Sequence, residues 1–225
     1  MRHLKLIWVL AAKDLRIEYR SRQAFLTTLF FAVLILIVFN FAFDPGSAST
    51  RDASPGILWV ALLFPGMIQL NRSFQSEMEE GTLQGIVMSP LDRGVLFLGK
   101  LVANWLFLLA IDVLILIAFV IFFNFSLESG LLWVVLLMFL VGGGFTAVGT
   151  VFAAMVSNVR IREVLLPILL FPIIVPIILA AVNATREVLI HNDFSTLGRW
   201  LQLVVAFDVI FLAAGFLVFD YVVGE

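Results

Sequence analysis

Several residues have the types and spacing that chemistry would need. Asp112 and Asp208 each sit inside a long apolar run, where a carboxyl is costly and is a functional candidate by default. Two such carboxyls are the equipment of an intramembrane aspartyl protease. Proteases of that kind carry a Gly-x-Gly-Asp context, whereas these read Ala110-Ile111-Asp112 and Ala206-Phe207-Asp208. The open alternatives are hydrogen bonding between helices, pairing with a partner subunit, a wet cavity, or a neutral carboxyl that packs helices together. Gly94 to Lys100 matches G-x-x-x-x-G-K, most of a phosphate loop. Position 101 is Leu, where a magnesium-binding hydroxyl is required. The four residues between the glycines are bulky and apolar, so ATP binding by this chain is rejected, and Lys100 is expected at headgroup level, anchoring a span. His3 and His191 are the only histidines and there is no cysteine. That removes disulfides, thiolate metal sites and a Cys nucleophile, and a lone loop histidine such as His191 makes no ligand set, so neither a metal nor a bound cofactor is assigned. Finally, Glu77, Glu79 and Glu80 crowd together in QSEMEEGTLQGIVMSPLDR, residues 75–93.

The elements that must position these residues are apolar. The chain has 225 residues, 62% hydrophobic and 13% charged, with mean hydropathy +1.11. Half the usual charged fraction of about 25% indicates a membrane protein. Runs long enough for helical spans of about 20 residues cover approximately 24–43, 56–74, 101–125, 131–156, 164–182 and 200–223. The expected fold is all-α, one permease-like domain over 1–225 with six transmembrane helices. Lys and Arg gather at the N-terminus (six, to Arg22), between spans two and three (Arg72, Arg93, Lys100) and between spans four and five (Arg160, Arg162); only Arg51, Arg186 and Arg199 lie opposite. The positive-inside rule then places both termini in the cytoplasm. There is no basic stripe with interleaved aromatics, so no nucleic-acid partner is expected. Basic residues run on to Arg22 with no cleavage site after the first apolar run, so no removable signal peptide is expected.

Residues 1–22 repeat Leu4, Ile7, Trp8, Ala11, Ala12, Leu15 and Tyr19 at helical spacing, with Lys13, Arg16 and Arg20 on another face. That pattern predicts an amphipathic helix lying in the membrane interface. In the 75–93 stretch, Ser76 and Glu79 have capping-box spacing, Gly81 permits a sharp turn and Thr82 can cap a second short helix. Leu83, Ile86 and Val87 form a ridge, and Ser89-Pro90 ends it. The expected product is a compact cytoplasmic helix for docking a partner.

The order Glu79-Glu80-Gly81-Thr82-Leu83, Ser89-Pro90-Leu91-Asp92-Arg93 and Gly99-Lys100 resembles the coupling segment of ABC-2-type permeases. Phe74-Gln75-Ser76-Glu77-Met78-Glu79 and the stretch from Arg160 to Pro172 are similar to the haem exporter protein B (CcmB) family of c-type cytochrome maturation, over essentially the whole chain. The resemblance implies an ABC-2-type exporter fold in the bacterial inner membrane. It implies a non-catalytic subunit that uses ATP only through a cytosolic ATPase (CcmA-like). Other implied partners are membrane subunits (CcmC-like, CcmD-like), a haem chaperone (CcmE-like) and a second copy of the chain, with haem as the handled substrate. The coupling contacts it implies are Glu77, Glu79, Glu80, Gly81, Thr82, Leu83, Pro90 and Arg93, and less directly Arg160 and Arg162. Export of a lipid, drug or polysaccharide, or a scaffold that transports nothing, are the rival readings.

Two spans carry further marks. Gly142, Gly143, Gly144, Thr146, Gly149, Thr150 and Ala153 make span four a close-packing helix. Pro167, Pro172 and Pro176 remove backbone donors from span five and are expected to break it. Val188, Leu189, Phe194 and Leu197 follow, and could dip back toward the membrane.

Overall fold

Apolar runs of this length fold as helices because a backbone surrounded by lipid must bond its own N–H and C=O groups. The computed structural model describes residues 2–20, 22–43, 47–79, 92–125, 130–157, 159, 161–191 and 194–224. They form α1 (Arg2–Arg20), α2 (Arg22–Ala42), α3 (Ala48–Glu79), α4 (Arg93–Phe123), α5 (Gly130–Val156), α6 (Arg162–Arg186) and α7 (Leu197–Gly224), with a π-helical turn, Glu187–His191, after α6. No strand occurs among the described residues. α2 to α7 are six helices long and apolar enough to cross a membrane, and the fold is an all-α, six-span membrane protein. The short cytoplasmic helix expected within residues 80–91 lies outside the described residues.

Local chemistry explains where the elements begin and end. α3 starts at Ala48, well before its apolar run, because Ser47 Oγ accepts the Thr50 N–H at 3.2 Å, which supplies one of the orphan donors of a helix start. Pro55 lies inside α3 and has no N–H for the Arg51 carbonyl; the Ser54 hydroxyl donates to that carbonyl instead, at 2.7 Å. Asp92 caps α4 by accepting the Gly94 N–H at 2.8 Å. Asn124 closes it in the left-handed region, φ 50°, with its N–H on the Val120 carbonyl, a common helix stop. The three prolines do not break span five. α6 runs on through Pro167, Pro172 and Pro176, since neighbouring helices can accommodate freed carbonyls in a bundle. The departure from α-geometry comes later, at Glu187–His191, where Val188 is buried.

α5 is the hub of the bundle, packing on α3, α4, α6 and α7. Its small residues permit this. Gly144 lies against Asp208 of α7, Gly149 against Leu70 of α3, and a Cβ on Gly142 would touch Trp105 of α4 at 3.4 Å. α2 and α7 are the outermost spans, and Phe30 and Phe41 of α2 and Val209, Ile210 and Leu217 of α7 are exposed for lipid. α1 lies along the start of α4. Ala11 is fully buried, and a Cβ on Gly99 would come within 2.8 Å of Leu10 Cβ. Leu4, Trp8 and Val9 of α1 remain exposed. The helix thus divides its apolar residues between the protein and its surroundings.

Candidate functional site

Three helices bring polar residues to one place on the α1 face of the bundle. Each contributes two positions four apart, which one helical face displays together: Asp14 and Glu18 from α1, Gln69 and Ser73 from α3, Lys100 and Asn104 from α4. Asp14, Glu18, Gln69, Ser73 and Asn104 line one small cavity with Leu15, Ala103 and Phe107. Lys100 Nζ lies 3.4 Å from Asp14 Oδ2, and Lys13 Nζ lies 3.3 Å from Asp14 Oδ1. The Lys100 side chain is 1% exposed, so it is not the headgroup-level anchor the sequence suggested. α1 covers it, and Asp14 balances a charge that could not be left unpaired at that depth.

Burial raises the Glu18 carboxyl above its usual range, by desolvation of the charged form. A hydrogen bond from the Gln69 side chain and the charge of Arg72 oppose this, Asp14 adds to it, and Lys100 also opposes it. Gln69 Oε1 and Asn104 Nδ2 are buried without a hydrogen-bond partner among the described residues. The nook therefore holds an ion pair, a carboxyl with a raised pKa, and an idle acceptor and donor. Such a polar cluster can fix one arrangement of helices and release it when a member changes charge.

Its position gives it meaning. α3 leads into residues 80–91 and α4 leads out of them. Glu18 holds α3 through Gln69, and Asp14 holds α4 through Lys100. α1 is therefore tied to both limbs of the segment that sequence reading singled out. A second tie joins the same region to the chain's end: Arg93 Nη1 donates to the Asp220 carbonyl at 2.8 Å and pairs with Asp220 Oδ1 at 3.2 Å.

The remaining candidates are distributed as follows. Glu77 and Glu79 belong to the last turns of α3; Glu80, Gly81, Thr82, Leu83, Pro90 and Arg160 lie outside the described residues; Arg162 begins α6. Gly94, Gly99 and Lys100 all lie within α4, a continuous helix with no loop to cradle a phosphate. The glycines make room for Phe216 and Leu10, respectively. Asp112 of α4 and Asp208 of α7 are buried, at 7% and 9% exposure. Asp208 Oδ1 has no hydrogen-bond partner among the described residues. His191 is exposed at the end of the π turn, and no group of three metal-ligating side chains occurs among the described residues. Elsewhere in the bundle, Trp59 Nε1 donates to Thr185 Oγ1 at 2.9 Å and Asn40 Nδ2 to the Phe122 carbonyl at 2.7 Å, stapling α3 to α6 and α2 to α4.

Sequence reading missed Asp14, Glu18, Gln69 and Asn104. A signal was there: Asp14 and Glu18 are the two acids four apart on an otherwise basic and apolar α1, and Gln69-Ser73 and Lys100-Asn104 share that spacing.

Taken together, these features define a multi-pass helical membrane protein in which an amphipathic helix clasps the helices on either side of residues 80–91. The chain belongs to the CcmB protein family, whose model matches residues 5–220. It is 29% identical over 199 residues to Heme exporter protein B of Pseudomonas aeruginosa, covering 88% of each chain. It is 28% identical to the protein of that name from Haemophilus influenzae, over 75% of this chain and 76% of the relative. With that from Bradyrhizobium diazoefficiens it shares 26% identity over 92% and 91%.

Proposed function

We propose that this chain is the permease subunit of an ABC-type complex for c-type cytochrome biogenesis, seated in a bacterial inner membrane with both termini cytoplasmic. The observation that carries this reading is membership of the CcmB family across residues 5–220, with relatives named Heme exporter protein B matched over most of both chains. In this reading the chain catalyses nothing itself. A separate cytosolic ATPase docks on Glu77, Glu79, Glu80, Gly81, Thr82, Leu83 and Pro90, with Arg93, Arg160 and Arg162 at the margins. Movement of that segment is passed to α3 and α4, and through the Gln69–Glu18 and Lys100–Asp14 contacts to α1. The work serves export of haem or its release on a chaperone, in company with other membrane subunits of the complex and a second copy of this chain. The whole of residues 1–225 acts as one permease domain.

The polar nook supports a mechanical role. Its members hold helices together, and a displacement of either limb must stretch a buried contact. Deletion of the gene tests the reading directly. Covalent haem attachment to c-type cytochromes is expected to disappear while b-type cytochromes remain. Normal c-type cytochromes in the deletion strain would overturn it.

A further inference from the structure

A second cavity lies beside the polar nook and has a different chemistry. It occupies about 870 Å³ between α1, the start of α2 and the middle of α4, lined by Leu15, Arg16, Phe25, Leu26, Leu106, Phe107 and Ala110. That is toward the upper end of small-molecule sites, about 300–1,000 Å³. The Phe25 and Phe107 rings meet edge-on, centroids 6.4 Å apart, and form a rigid wall. Leu26 and Ala110 are exposed and belong to membrane-spanning helices, so the cavity opens sideways toward acyl chains. Arg16 is exposed and belongs to α1, outside the spans. The cavity is thus polarised: the one cation among its described lining residues is at the interfacial end, and its apolar walls run inward along the spans.

We infer that this groove is a binding site for an anionic glycerophospholipid from the leaflet on the α1 side, its phosphate on Arg16 and an acyl chain along Leu26, Leu106 and Ala110. A soluble anion would satisfy the guanidinium and leave six apolar side chains unfilled. A neutral chain would fill the walls and leave the cation without a counterion. A lipid headgroup and its chain are joined in the same order as Arg16 and the apolar wall, and basic groups beside a membrane favour anionic headgroups. Lys13, one turn before Arg16 and itself paired with Asp14, adds to the positive potential there. The bound lipid fills the wedge between α1 and the bundle, so it would hold α1 in the pose that closes the polar nook. This inference uses only the cavity and its lining and does not depend on what the complex transports.

The test uses the full-length chain purified in detergent, incubated with phosphatidylglycerol or phosphatidylcholine of identical chains and examined by native mass spectrometry. Wild type is expected to retain phosphatidylglycerol over phosphatidylcholine by about fivefold, the preference one basic group supplies. Arg16→Gln should bring the two to parity. Ala110→Trp, placed at an exposed position so that the fold is undisturbed, should reduce both, and Leu26→Trp on the opposite wall is an independent plug. Equal retention of the two lipids by wild type overturns the inference, as does full retention of phosphatidylglycerol by both plugged variants. An iron porphyrin dicarboxylate that displaces phosphatidylglycerol at equal concentration would also overturn it, by showing that the groove prefers a different amphiphile.

Discussion

Lys100 Nζ and Asp14 Oδ2 stand 3.4 Å apart, joining α4 to α1 across a separation of 86 residues, with the lysine almost wholly enclosed. The pair is asymmetric. Asp14 keeps a second cation in Lys13 at 3.3 Å, and its side chain is 16% exposed where that of Lys100 is 1%. Asp14→Asn should therefore be the more damaging change, about 3 kcal/mol, because it removes one partner of a buried ion pair and leaves the enclosed ammonium in place. Lys100→Met removes the charge and fills the space, and should cost about 1 kcal/mol or less. Thermal unfolding of both variants in the same detergent checks the order. A less stable Lys100→Met would show that the lysine has a further role.

Glu18 makes the α1 contact dependent on pH. Burial raises its carboxyl pKa above the ordinary value of 4.5, so the folded state holds that proton more tightly than the unfolded chain. Its contribution to stability is therefore greatest below about pH 4.5, falls as pH rises through the interval up to the raised value, and is constant above it. Glu18→Gln should remove that slope. Melting curves across acid to neutral pH measure it; an unchanged slope in the variant would assign the titration to another group.

Gly144 and Asp208 share one space between α5 and α7, since a Cβ on Gly144 would collide with Asp208 Oδ1. Gly144→Ala should destabilise by about 1–3 kcal/mol through overpacking. Asp208→Ala vacates the colliding atoms, so the double variant should lose less than the two single losses added together, as expected for residues in contact. Strict additivity would mean that the methyl is strained against Ile177 or Phe207, each 3.0 Å from it, and not against Asp208.

The docking surface proposed on residues 77–90 has a direct test. Glu79→Lys and Glu80→Lys combined with Leu83→Asp should lower recovery of the co-purified ATPase by about tenfold or more, the scale set by losing one hot-spot contact. Unchanged recovery would place the interface elsewhere, while leaving the family assignment untouched.

The sequence by itself determined the class of fold. Six runs of apolar residues must become helices wherever they meet lipid, and no knowledge of neighbours is needed for that step. The 3.6-residue spacing of Leu4, Ile7, Ala11 and Leu15 likewise determined α1, and a glycine-rich span four announced close packing. The ordered motifs from Glu79 to Lys100 were enough to suggest the permease class, and the stretches Phe74 to Glu79 and Arg160 to Pro172 the family. Tertiary structure alone decided which helical faces meet. It buried Lys100 under α1, turned Gly94 and Gly99 from a semblance of a phosphate loop into seats for Phe216 and Leu10, and carried α6 through three prolines. It also assembled Asp14, Glu18, Gln69 and Asn104 from three separate stretches of chain. The reason is physical: helical periodicity states which residues share a face, but the facing partner depends on how each helix is rotated and crossed, which is set by packing against all the others at once.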